Sequence, residues 1–217
     1  MEERADELSA ETGVRVVALV ADTGDDDSVE AMAQSAVEAL GGVDILVNNA
    51  ATIMSPAAGV EERLEEQINV KVRGYLRCIR AFAPGMAERR WGRVVNVAGL
   101  AARQTGSVTG SVRNVAVAAM TKNLADELGP QGINVTVVHP EATRTESLLR
   151  MVDERAEASG LSRADVESQL VGSAAIGRMV EPAEVAAVIA FLASPLSVTI
   201  NGDAICVGDG TKGFIYY

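Results

Sequence analysis

The chain has few of the residues that build metal sites, disulfide frameworks and aromatic cores. It holds two cysteines, Cys78 and Cys206, far apart in sequence, and one histidine, His139. A Cys/His zinc site cannot be assembled from that set, and the cysteines read as free thiols of a reducing cytoplasm. Aromatics make up only 3%, so Ala, Val, Leu and Ile must supply the core. Positive charge is scarce too. The net charge of −11 repels phosphate backbones and argues against nucleic-acid and anionic-membrane partners. No apolar run approaches the ~20 residues that span a bilayer. The opening MEERADELSAETG is acidic and helical, without the basic and apolar regions of a signal peptide.

What is present suits one soluble domain over residues 1–217, 48% hydrophobic and 23% charged, and long enough to bury a sizeable core. The acidic runs Asp25-Asp26-Asp27 and Glu61-Glu62 read as solvated faces. Five short runs rich in β-branched residues predict strands: Val14–Val20, Val43–Val47, Arg93–Val97, Ile133–Val138 and Ala204–Val207. Most are apolar throughout, as in a parallel sheet covered on both faces. Helical patterns alternate with them. The clearest carries Leu64, Ile68, Val72, Tyr75, Leu76, Ile79, Phe82 and Met86 as one stripe, with Glu61, Glu62, Glu65 and Glu66 early and Arg73, Arg77 and Arg80 late, the order the helix dipole favours. A small-faced helix from Gly110 ends at Gly129-Pro130, read as a left-handed cap and a stopper. Another starts near Glu181-Pro182. Thr145–Ser173 reads as an irregularly helical excursion beyond the carboxyl ends of the strands, where such sheets bind ligands. The alternation predicts a doubly wound α/β sheet.

One GxGxxG occurs, Gly208 to Gly213, but only Phe214, Ile215, Tyr216 and Tyr217 follow. No helix can present its N-terminus to a pyrophosphate there, so the run reads as a terminal turn. GVDILVNNAA (Gly42–Ala51) is more informative. A buried strand ends in two asparagines, which can bond neighbouring backbones and hold a crevice open, and in small residues that let a ligand lie against the main chain. Asp22, in Ala21-Asp22-Thr23, places a carboxylate at the same edge. GRVVNVAG (92–99), ELGPQGINVTVVHPE (127–141), GRMVEPAEVAAVIAFLAS (177–194) and INGDAICVGDG (200–210) follow in order.

Together these segments resemble the short-chain dehydrogenase/reductase family along essentially the whole chain. The resemblance implies a Rossmann-like fold, NAD or NADP as cofactor, hydride transfer to or from a small-molecule alcohol or carbonyl, and a homodimer or homotetramer. Carried over by position, Asp22 matches a carboxylate beside the adenine ring. Asn48, Asn49 and Ala50 match the cofactor-lining NNAG, with Ala51 in place of its glycine. Asn69 matches the asparagine that organises a proton-relay water. Pro140 stands where a turn meets the nicotinamide, and Thr143 and Thr145 match groups that bond the carboxamide or phosphate region.

The departures concern chemistry. The family's first two strands and the glycine-rich turn between them, about 40 residues by the size of such units, have no counterpart. That leaves Val14–Val20 without its neighbour and the edge of Val43–Val47 unpaired. It also leaves NAD and NADP undistinguished. The family's Tyr-x-x-x-Lys pair falls on Gly110 and Asn114, and its serine on Ala98 or Gly99. Glu141 replaces a glycine, with Arg144 the nearest cation in sequence to answer it. Ser111 is the nearest hydroxyl to the lost tyrosine, so Asn69 and Ser111 are the candidate catalytic residues, although Ser111 also reads as the cap of its helix. Arg113 reads as a solvated or ion-paired residue, the reversed spacing Lys71-x-x-x-Tyr75 as core edge plus surface, and His139 as a hydrogen-bonded structural residue. Three functions follow as expectations: an oxidoreductase with a non-standard acid, a catalytically silent binding or assembly subunit, or a product lacking its N-terminal part.

Overall fold

In the computed structural model, which describes residues 1–51, 60–172, 174–208 and 210–212, four strands form one parallel sheet in the order β1 (Ile45–Asn48), β2 (Gly92–Val97), β3 (Ile133–Pro140), β4 (Ala204–Val207). Asn48 lies opposite Asn96, Val97 opposite Val138, and Pro140 opposite Val207. Every residue of β2 is buried, as the apolar run predicts for a central strand covered on both sides.

Helices α1 (Glu2–Thr12) and α2 (Asp26–Leu40) precede the sheet. α4 (Gly74–Glu88) and α5 (Val108–Leu128) cover one face, where Ile79, Phe82, Met86, Leu124 and Leu128 pack with Val94 and Val135. α8 (Pro182–Ala193) covers the other face, with Val185 and Leu192 against Val95 and Val138. Between β3 and α8 lie α6 (Glu146–Ser159) and α7 (Arg163–Leu170), packed through Val152, Val166 and Met179. This is the Rossmann-like arrangement that the alternation predicts.

Three predicted elements differ. Val14–Val20 is not a strand: it has no ladder partner among the described residues, and Val14 and Val20 are exposed. A strand's backbone groups need a neighbour to bond, and none is beside this run. The long helix is not uniform. α3 (Val60–Gln67) passes into a π-helical segment, Ile68–Arg73, before α4 begins. Gly74 at that junction packs so tightly that a Cβ would lie 2.7 Å from the Thr23 carbonyl. Finally, Gly129 is right-handed (φ −54) and opens a 3-10 turn, and the left-handed glycine is Gly132 (φ 85). Gly208–Gly213 includes positions 209 and 213, outside the described residues.

β1 lies at the edge of the sheet among the described residues. Leu46 packs inward on the α4 side, while Ile45 and Val47, on the opposite face, are 45% and 41% exposed. An edge strand bared on one face alternates in burial even where its sequence is apolar throughout.

Candidate active site

The carboxyl ends of β1, β2 and β3 meet helices α4 and α5, and two polar networks form there. The first is closed. Asn48 Nδ2 donates to Asn96 Oδ1 at 2.9 Å, and Asn96 Nδ2 donates to Thr121 Oγ1 at 3.0 Å. All three residues are buried, so the chain satisfies with side chains what water cannot reach. Asn48 thus links two strand ends and α5, while Asn49 is exposed and Ala50 half-buried beside it.

The second network surrounds the turn after β2. Three successive carbonyls each receive a side-chain donor: Val97 O from Tyr75 OH at 2.9 Å, Ala98 O from Lys71 Nζ at 3.2 Å, and Gly99 O from His139 Nδ1 at 2.9 Å. Gly99 N also lies 3.4 Å from Nδ1, but the shorter contact is to the carbonyl, which only accepts, and it favours the proton on Nδ1. Tyr75 OH also reaches Ala50 O at 3.1 Å, joining the ends of β1 and β2. Burial raises the Tyr75 pKa and keeps the phenol protonated. Burial lowers the pKa of His139, opposed by its Gly99 hydrogen bond, so the ring stays neutral. Lys71 is pushed down to about 7, first by burial and then by Arg113. Arg113 Nη1 donates to Gln67 Oε1, while Arg113 Nε and Asn114 Oδ1 are buried without partners among the described residues.

Lys71 and Tyr75 therefore are not core edge plus surface, because both are buried. Arg113 is half-buried and makes no ion pair among the described residues. Its guanidinium bonds a neutral amide, because the facing helix α3 offers Gln67 there. A signal for this cluster is present in the sequence: Gln67, Lys71 and Tyr75, spaced by four, form a polar stripe beside the apolar one.

The candidate residues themselves are dispersed. Asn69 Nδ2 donates to Gly24 O at 3.0 Å, and its Oδ1 accepts from Arg77 Nη1 at 3.1 Å. It thus ties the 22–24 turn to the helix, while Lys71, two residues on, reaches the β2 turn. Asp22 Oδ1 accepts from Gly24 N at 2.7 Å within that turn. Ser111 is not the cap of α5. Ser107 is, accepting from Gly110 N at 3.0 Å, and the Ser111 hydroxyl donates to Gln104 O at 2.9 Å. Pro140 ends β3. Thr143 Oγ1 donates to Glu141 O, and Thr145 caps α6. Arg144 does not answer Glu141. It pairs with Glu167 and Glu181, whereas Glu141 accepts from Gln104 Nε2 at 3.2 Å. A cleft of about 480 Å³ opens between α3 and the start of α5, lined by Arg63, Gln67, Ser107, Gly110 and Arg113 among others.

A nicotinamide dinucleotide fits this frame in one half. Ala50, Ala98 and Gly99 keep the strand ends low, and Asn114 leaves an unpartnered acceptor beside them. The glycine-rich turn that would hold the phosphate half has no counterpart among the described residues. No cluster of metal-ligating side chains occurs among the described residues, and no helix there is long and apolar enough to cross a membrane.

Comparison with known proteins agrees with this architecture. The enoyl-(acyl carrier protein) reductase family model matches residues 1–212. Subunit BbsD of a substituted succinyl-CoA dehydrogenase from Thauera aromatica is 34% identical over 96% of this chain and 81% of its own. The short-chain reductase protein NovJ of Streptomyces niveus is 33% identical over 84% of this chain and 70% of its own. The crystal structure of L-sorbose reductase from Gluconobacter frateurii, complexed with NADPH and L-sorbose, superposes with a TM-score of 0.90 at 26% identity, covering 99% of this chain and 83% of that one. With the parallel sheet and the strand-end crevice in place, the chain belongs to the short-chain dehydrogenase/reductase family of oxidoreductases.

Proposed function

We propose that this protein is an NAD(P)-dependent oxidoreductase acting on a small-molecule alcohol or carbonyl, with proton chemistry that does not use the family's tyrosine. The observation that carries this reading is the turn after β2. A structural turn has no need of Lys71, Tyr75 and His139 on three successive carbonyls with buried valences left open around it, whereas a site built to receive a polar ligand does. The bound nicotinamide supplies or takes the hydride. Asn48 and Tyr75 fix the strand ends against which it rests, Ala50 and Pro140 leave room for its ring, and Thr143 lies on the loop that would meet its amide. Asp22 would lie toward the adenine, with Asn69 holding the 22–24 turn in place. Ser111 steadies Gln104 and through it Glu141, which keeps that carboxylate in a fixed position at the rim.

The protein works in the cytoplasm on this reading, consistent with its two free cysteines. It assembles as a homodimer or homotetramer through α5, where Val108, Val112 and Val115 form an exposed apolar stripe at helical spacing. Titration with NADH and NADPH, following nicotinamide fluorescence, tests the first part, with acetoacetyl-CoA and L-sorbose as turnover probes. Saturable binding and probe-dependent cofactor oxidation are expected. A flat signal at millimolar cofactor removes the reading. For assembly, V112E/V115E is expected to give a monomer in sedimentation while the parent protein sediments as an oligomer.

A further inference from the structure

A lysine inside a protein is normally answered by a carboxylate, or its ammonium reaches water. Lys71 does neither. It is 4% exposed, and its Nζ makes one hydrogen bond among the described residues, to the carbonyl of Ala98. The charge that acts on it is the cation Arg113. Its backbone is π-helical, a form that shifts side chains out of α-helical register and recurs at functional sites.

The neighbours of Lys71 are the positions where the family's acid machinery has been replaced. Its acceptor belongs to Ala98, in the turn where a serine is expected. Gln67, one turn earlier, lines the cleft together with Gly110 and Arg113. Asn114 stands in for the family's lysine, and its Nδ2 lies 3.0 Å from where a side chain on Gly99 would begin. A Cβ at Gly110 would likewise lie 3.0 Å from the Ser107 hydroxyl that caps α5. Gly99, Gly110 and Asn114 therefore form one rearrangement. Side chains at 99 and 110 would press on Asn114 and Ser107, and the amine that reaches the turn comes from the facing helix instead.

Resting on the oxidoreductase reading above, we propose that Lys71 is the acid that protonates the substrate's carbonyl oxygen during reduction. A reduced nicotinamide bound there would give up a hydride and become oxidised; the hydride's electron pair would form the new C–H bond at the carbonyl carbon, the C=O π pair would move to oxygen, and that oxygen would take a proton from Nζ. Lysine becomes a neutral amine and regains its proton from water. In the direction of alcohol oxidation, the neutral amine accepts the hydroxyl proton. The surroundings suit both directions, because burial and Arg113 bring the Lys71 pKa to about 7, near which an acid and its base are both populated. The other titratable groups on this side are Tyr75 from α4, His139 from β3 and Arg103. Tyr75 and His139 are neutral, the Tyr75 ring lies 5.8 Å from Nζ in a cation–π contact, Arg103 adds positive charge, and no carboxylate among the described residues pairs with the ammonium.

The chain has three lysines, and Lys122 and Lys212 are exposed. Labelling all lysines with ¹³Cε in the intact protein and following their shifts with pH reads Lys71 without any turnover. One signal, absent from K71M and K71R, is expected to titrate near pH 7. Should no lysine signal titrate there, the proposal is overturned whatever the activity shows. The second arm is NADPH oxidation with acetoacetyl-CoA or L-sorbose. K71R keeps the charge but cannot release a proton near neutrality, so it should bind cofactor normally and lose roughly 100-fold or more in kcat, together with the wild-type decline in reduction rate above about pH 7. A K71R enzyme with wild-type rate and pH profile overturns the proposal. A protein whose Lys71 titrates near 7 and which reduces neither probe overturns the oxidoreductase reading, and the proposal with it.

Discussion

The two polar networks at the carboxyl edge of the sheet lie only a few residues apart in sequence and behave as opposites. Asn48, Asn96 and Thr121 are joined in an unbroken line of hydrogen bonds. Around the next turn, among the described residues, Asn114 Oδ1 and Arg113 Nε are buried with nothing to bond, and Lys71 commits one of its three donors. Both networks are buried at comparable depth, so burial does not separate them. Completeness does. A closed network fixes how strands and helices meet, and an open one costs stability that only a ligand or a reaction can justify.

A large effect is expected from breaking the closed network. Asn96→Leu removes the central member and orphans Asn48 Nδ2 and Thr121 Oγ1 in the core, at roughly 1–3 kcal/mol for each buried group. A net loss of about 3 kcal/mol in urea unfolding is expected, since the new side chain recovers part of the cost by apolar contact. A loss below 1 kcal/mol would mean that the two networks are energetically alike.

The second prediction concerns Lys71 and pH. Unfolded, its amine titrates near 10.5; folded, at about 7. Between those values the unfolded chain binds more protons, so stability rises with pH, by up to about 1.4 kcal/mol per unit. Below pH 7 both states are protonated and the full cost of the buried charge is present. K71M should therefore be more stable than the parent at pH 6, and its advantage should shrink steadily between pH 7 and 9. Unfolding free energies measured in parallel at those pH values check this, and parallel curves for the two proteins would contradict it.

Much of this frame was legible in the sequence. The runs at Arg93–Val97, Ile133–Val138 and Ala204–Val207 announce strands because β2 and β3 lie within the sheet and β4 pairs with β3, so apolar pattern and hydrogen-bonding partner coincide. Val14–Val20 carries the same signal and forms no strand, because a strand is a property of two segments and its partner is not beside it. The site was legible only at its rim. Gln67, Lys71 and Tyr75 recur every four residues, but a lysine and a glutamine at a helix edge read as solvated, so their burial was not legible from residue type. Sequence adjacency also misassigned two partners. Arg144 is three residues from Glu141 but turns toward Glu167 and Glu181, and the cap of α5 falls on Ser107 because α5 starts two residues before Gly110.

The smallest expected effect is the one that separates the networks most directly. Asn114→Leu replaces a buried amide whose oxygen has no partner among the described residues with an apolar group of similar size. No neighbour loses a bond through Asn114 Oδ1, so the unpaired-group cost that dominates at Asn96 is absent. Stability should change by less than about 1 kcal/mol, in either direction. If Asn114 is held open for a ligand, the same substitution should weaken NADPH binding by roughly tenfold, the worth of one hydrogen bond of about 1.4 kcal/mol. Unfolding and fluorescence titration on one preparation give both numbers. An Asn114→Leu protein that loses several kcal/mol while binding cofactor as before would place Asn114 with Asn96, as a part of the fold that the site merely adjoins.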